Sequence, residues 1–211
     1  DSLYAGLKGL EQWGKQTDQP MDRAILHSLI AGIYANYAAN NQWQLRQRTE
    51  IVGQTPSADI REWTANMFVE KVRTNVKEAL ADSVLLLKTS SRDYIPFVEL
   101  GKTSEYYHHD LYHLLASRGI DALLQVEKLG SGYTETNAVN PVKQDIIAIY
   151  GNMLSAYKAA GLKEGYVLTA LNYLEWRRGA ERYIRPLQAK GEASVLTDDT
   201  YLKALNTLKS K

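Results

Sequence analysis

Between residues 105 and 115 the chain reads EYYHHDLYHLL, which gathers His108, His109, His113 and Asp110 into eleven residues although the whole chain has only four histidines. Imidazole nitrogens and carboxylate oxygens are common zinc ligands, and two histidines four apart share one face of a helix, from which both rings can grip one ion. His109 and His113 have that spacing, and Asp110 lies three before His113. A metal centre still needs a third protein ligand, for which His27 and Glu105 are the candidates. In the HExxH zinc pattern a glutamate follows the first histidine as the base; here the shorter Asp110 holds that place. One expectation is therefore a metal-dependent enzyme built on His109, Asp110 and His113.

The element that positions these residues weighs against that chemistry. Thr103 or Ser104 can cap a helix running through the cluster to about Val126. At 100° per residue, Tyr107, Leu111, Leu114, Leu115 and Arg118 form its packed stripe, which leaves His109 and His113 on the opposite, wetted face and His108 between the two. The favoured expectation is surface histidines beside a helix-face aspartate, with no catalytic, cofactor-binding or metal residue.

Other chemistry-bearing groups are fewer. RRGAERYIR, with Arg177, Arg178, Arg182 and Arg185, has the guanidinium forks to hold phosphate or carboxylate, but a basic cluster at a helix end also complements the helix dipole, and that is the expected role. GSG at 130–132 lacks the lysine and the spacing of a phosphate loop and reads as linker. No serine sits in a GxSxG elbow. Tyr34, Tyr37 and Trp43 form an aromatic row for which core packing is the favoured use, with lining a partner's peptide groove, or stacking on a glycan, as the alternative.

The apolar spacing is helical throughout. Leu3, Leu7, Leu10 and Trp13 repeat at threes and fours, and after the turn QTDQP a longer helix runs from Met21 to Arg46 on Ile25, Leu26, Leu29, Ile30, Ile33, Tyr34 and Tyr37. Asp59 and Glu62 have capping-box spacing and predict a helix start, its stripe running through Ile60, Trp63, Met67, Phe68, Val72 and Val76 to about Ala81. A loop is predicted over KTSSRDYIPFVELGKTS, with room for a short helix within it. Asn140 and Pro141 start another helix, which Gly161 stops; the next is expected to end at Gly179, and a last one is capped near Thr197 to Asp199. No alternating segment predicts a strand.

The fold class expected is all-α, with stacked antiparallel hairpins in a tetratricopeptide-like superhelix; the clearest hairpins lie at 3–46 and 141–178. Residues 1–211 read as a single helical domain, with a candidate sub-division into 1–129 and 138–211 about a hinge at 130–137.

Composition narrows the partners. Twenty-five Lys and Arg against twenty-four Asp and Glu leave a net charge of +1, so no global field draws the chain to nucleic acid or anionic lipid. The absence of cysteine removes disulfides, thiolate nucleophiles and Cys-rich zinc sites. No apolar run approaches the roughly 18 residues that span a bilayer. The chain opens on Asp1 without a basic-then-apolar leader, which reads as a processed or excised segment.

PMDRAILHSLIAGIYANYAANNQWQLRQRT at 20–49, DIREWTANMFVEKVRTNVKEAL at 59–80 and LYHLLASRGIDALL at 111–124 resemble the N-terminal helical region of large Bacteroidetes alpha-2-macroglobulin-like proteins. LNYLEWRRGAERYIRP and DDTYLKALNTLKSK resemble that family's closing helices more loosely. The likeness covers most of the chain, in apolar and aromatic patterns rather than catalytic signatures. It implies a non-catalytic scaffold in an exported protein of the periplasm or outer-membrane surface, with a lipid anchor outside this chain. Its partners would be other domains of the parent chain or an envelope or proteinase protein. The sequence departs from the family pattern at His113, where an acidic residue follows LY, and this argues against a metal site shared with the family.

Overall fold

The computed structural model describes residues 2–48, 57–94, 109–129, 140–188 and 198–210. Among these the chain is all-α, with no strand and a single isolated antiparallel bridge between Ser90 and Asp110. Two compact units are distinguished, one holding the described residues up to Ile149 and the other those from Tyr150 onward. The division falls within one helix. The stretch 130–137, expected as a hinge, lies outside the described residues.

In the first unit, α1 (Ser2–Gln16) and α2 (Pro20–Asn40) are joined by the three-residue turn 17–19. Pro20 occupies the first turn of α2, where its missing N–H has no helical acceptor to satisfy. The continuous helix expected to Arg46 is interrupted: the Asn41 side-chain amide donates to the Tyr37 carbonyl at 2.8 Å, ending α2 before the short α3 (Gln42–Arg46). The buried face of α2 also differs from the expected stripe. Leu26, Ile30 and Tyr34 are buried, but so are Ala24, Ala31, Ala35 and Ala38, whereas Leu29 is exposed. Small residues let neighbouring backbones approach, and α2 packs on both α4 (Ala65–Ala79) and α6 (Leu111–Glu127). The same logic appears where α4 meets α6: a methyl on Gly119 would stand 2.9 Å from Val76 Cγ1.

The capping box expected at Asp59 is a different motif. Asp59 accepts the Arg61 amide and pairs with the Arg61 side chain, closing only a 3₁₀ turn over Ile60–Glu62. Those bonds to Arg61 hold the Asp59 carboxyl down at about 2. Trp63 follows in extended conformation, and α4 starts at Ala65. Ile60 and Trp63 are buried as expected although neither lies in the helix. Trp63 stacks on Tyr34 with ring centroids 5.3 Å apart, Tyr37 stacks on Phe68 at 5.3 Å, and Trp63 meets Phe68 at 5.2 Å. This four-ring cluster anchors α2 to α4. Asp82 then caps α5 (Ser83–Lys88), accepting the Leu85 amide at 3.1 Å, and a 3₁₀ turn covers Ser91–Tyr94.

At the start of α7 (Pro141–Ala160), Asn140 accepts the Val142 amide at 2.9 Å, as its place before proline predicts. Arg73 and Lys77 of α4 both reach Asp145 of α7, at 2.6 and 3.2 Å. In the second unit, Gly161 adopts φ +70°, its N–H bonds to Lys158 O, and the Leu162 N–H bonds to Tyr157 O. This is the Schellman closure, which favours glycine because a Cβ disfavours the left-handed region. α8 (Lys163–Gln188) follows directly on that turn and does not stop at Gly179; it passes through that residue to Gln188. An isolated glycine weakens a helix by roughly 1 kcal/mol without ending it. α9 (Asp198–Lys209) starts where the capping signal places it and packs on α8.

Candidate functional site

The histidine cluster is not laid along one helix. α6 begins at Leu111, so His109 precedes it and the helical wheel that puts His109 and His113 on a shared wet face does not apply. Asp110 is the N-cap residue, in extended conformation, and its Oδ1 accepts the His113 backbone N–H at 2.7 Å. Its other oxygen, Oδ2, lies 2.6 Å from His113 Nδ1. A carboxylate only accepts, so Nδ1–H is the donor in this bond. Asp110 retains 2 % and His113 only 5 % of their exposure, which corrects the expectation of solvated side chains.

The chain leading into this cap is pinned from the other side. The Leu111 amide donates to Thr89 O and the Ser91 amide donates to His109 O, each at 2.8 Å. These bonds tie the end of α5 to the start of α6. Asp110 thus satisfies one of the amides that every helix start leaves without an intrahelical partner, and His113, three residues on, donates its ring N–H back to the capping carboxylate itself rather than accepting the cap's backbone amide as in a capping box. The Tyr112 ring meets the His113 ring edge-on at 5.6 Å.

A carboxylate bonded to imidazole Nδ1 also fixes a histidine's tautomer and orientation, which is the arrangement behind many metal ligands and general bases. Here, however, the pair is buried and both carboxylate oxygens serve one helical turn. Of the other ligands considered, His27 bonds through Nδ1 to Asn75 Oδ1 at 2.8 Å, linking α2 to α4. Glu105, Tyr107 and His108 lie outside the described residues. Among the described residues no group of three or more His, Asp or Glu side chains is placed to hold a metal ion.

The aromatic row divides. Tyr34 is 2 % exposed and belongs to the core, so it lines no groove; its hydroxyl donates to Glu11 Oε1 at 2.8 Å. Tyr37 is half-buried against Phe68. Trp43, on α3, is 73 % exposed. It is accompanied in sequence by Gln42, Gln44, Arg46 and Gln47. What the sequence reading missed is the Glu11 junction: Lys71 Nζ pairs with the same Glu11 oxygen at 2.7 Å and stands 5.5 Å from the Tyr34 ring centroid. Burial works to raise the Glu11 carboxyl, but the Lys71 ammonium and the Tyr34 hydroxyl outweigh it and hold the carboxyl below its ordinary value. No local motif marks this junction, because its three members come from three helices.

In the second unit, Tyr150, Tyr173 and Trp176 cluster with centroid separations of 5.0 to 6.3 Å, and the Arg177 guanidinium lies 5.7 Å from the Tyr173 centroid. Because α8 continues to Gln188, Arg177 and Arg178 lie ahead of its last turns rather than at its end, and the side chains of Arg182 and Arg185 lie outside those described.

No helix among the described residues is long and apolar enough to cross a membrane. The class these observations define is an all-α protein of short-turned helices with aromatic contacts between them. No family model, curated protein or solved structure matches the chain.

Proposed function

We propose that the chain is a non-catalytic helical interaction module, of stacked tetratricopeptide-like hairpins, in an exported alpha-2-macroglobulin-like protein of the periplasm or outer-membrane surface. The observation that carries this reading is Trp43: a large indole held 73 % exposed on a short helix whose Leu45 is buried, so the helix is anchored while its ring is presented to solvent. Exposed aromatic side chains of this size supply most of the energy in many protein interfaces. The short connections α1–α2 and α7–α8 support the hairpin arrangement. The resemblance of the apolar pattern supports the family placement.

The test has two parts. The natural gene, read onward past Lys211, should encode macroglobulin β-domains; a reading frame without them overturns the family placement. Those domains, produced separately, should bind this chain, and W43A should weaken the complex at least tenfold, the effect of losing about 1.4 kcal/mol at a binding hot spot. Unchanged affinity removes Trp43 from the interface. The same exposed ring favours a second reading, stacking on a polysaccharide. Retardation in a polysaccharide affinity gel that W43A abolishes would support it.

A further inference from the structure

α1 is built differently from the helices beneath it. It carries Gly6, Gly9 and Gly14 within fifteen residues. A methyl added at Gly6 or Gly9 would meet nothing within 4 Å, so no close contact requires glycine at either place. Each nonetheless lowers the intrinsic stability of the helix relative to alanine. Among the side chains described, from Gly6 onward, the buried apolar set is small. Leu7 is buried, Leu10 and Glu11 are half-buried, Gly14 approaches Leu26, and Trp13 is left 55 % exposed. A polar junction also ties α1 down: the Glu11 carboxylate is held by Tyr34 of α2 and Lys71 of α4.

We propose that α1 is a detachable strap: it opens as a local unit, hinged at the turn 17–19, while α2, α4 and α6 stay folded. Helices with few buried apolar contacts and weak propensity are the parts of a fold that open below the free energy of global unfolding. By contrast α2 and α4 share the Tyr34, Tyr37, Trp63 and Phe68 rings and do not depend on α1 for that contact. Opening withdraws the carboxylate and leaves the Tyr34 hydroxyl and the Lys71 ammonium on a shelf between α2 and α4. That shelf complements an amphipathic helix carrying leucine and glutamate four residues apart, and α1 is its resident occupant.

Amide hydrogen exchange on the intact protein, under conditions where closing is faster than exchange, tests this. The α1 amides should exchange at least a hundredfold faster than those of α4. The double substitution G6A/G9A should slow α1 exchange roughly twentyfold, the effect of two glycine-to-alanine changes in a helix, and leave α4 unchanged. E11Q should speed α1 exchange, again without α4. If α1 and α4 amides exchange at a common rate and shift together in both variants, α1 opens only with the whole unit and the strap is excluded. G6A/G9A removes no contact, so the test does not depend on E11Q remaining folded.

Discussion

Asp110 has two oxygens and both are committed within one turn, one to the His113 amide and one to the His113 ring. Replacing it with alanine removes a cap, at about 1 kcal/mol, and strands a buried imidazole donor at about 1–3 kcal/mol. D110A should therefore lower unfolding free energy in urea by about 2–4 kcal/mol, and D110N, which can still cap, by less. A loss under about 0.5 kcal/mol for D110A would show that the pair does not hold the start of α6. Glu11 gives the pH counterpart. Its folded carboxyl is held below the ordinary glutamate value, so the unfolded chain takes up the proton first as pH falls. The stabilisation is complete above the unfolded value and is lost as pH drops through the folded one. Urea midpoints measured from about pH 5 down to 3 should fall less steeply for E11Q than for the parent, because the variant has no carboxylate to lose there. Equal slopes would assign the acid sensitivity to other carboxyls.

At the scale of elements, helix type was legible and helix ends were not. Pro20, the Asn140–Pro141 pair and Gly161 act through their own backbone constraints, so their positions can be read directly from sequence. Asp59 and Asp110 act through a side chain whose partner is a matter of geometry. Asp59 turned to Arg61 and closed only a 3₁₀ turn, while Asp110, read as part of a helix already under way, proved to be its first cap. The His109–His113 spacing was meaningful only within one helix, and the late start of α6 removed that premise. The buried alanines of α2 were visible as small residues, but which helices they admit is a tertiary fact. Gly119 is such a case. Its space is taken by Val76, a β-branched and buried side chain with little freedom to move aside. G119A should cost about 1–3 kcal/mol through overpacking, despite alanine's better helix propensity. G165A should behave likewise, since the added methyl would meet the Tyr157 ring. Thermal melts of both, compared with G6A/G9A, separate glycines needed for packing from those that only weaken a helix.

For the whole molecule, near-cancellation of charge makes a direct statement about partners. With a net charge of +1 and no global field, the chain should show no salt-dependent retention on immobilised DNA near physiological ionic strength. Retention that weakens steeply with added salt would reveal a local basic surface instead. Metal analysis of protein purified without a histidine tag addresses the remaining enzyme reading. Less than stoichiometric metal, with melting unmoved by zinc or by chelator, would remove His109, Asp110 and His113 from consideration as ligands. The uneven setting of the tryptophans makes several of these experiments possible without labels. Trp13 rides on α1 in water, Trp43 stands in water on α3, and Trp63 is sealed beneath Tyr34 with its indole N–H donated to Ser57 O. Single-tryptophan variants would therefore give three native optical channels: acrylamide should quench the first two and spare the third, and the polarisation of Trp13 emission would follow the strap while Trp63 reports on the core.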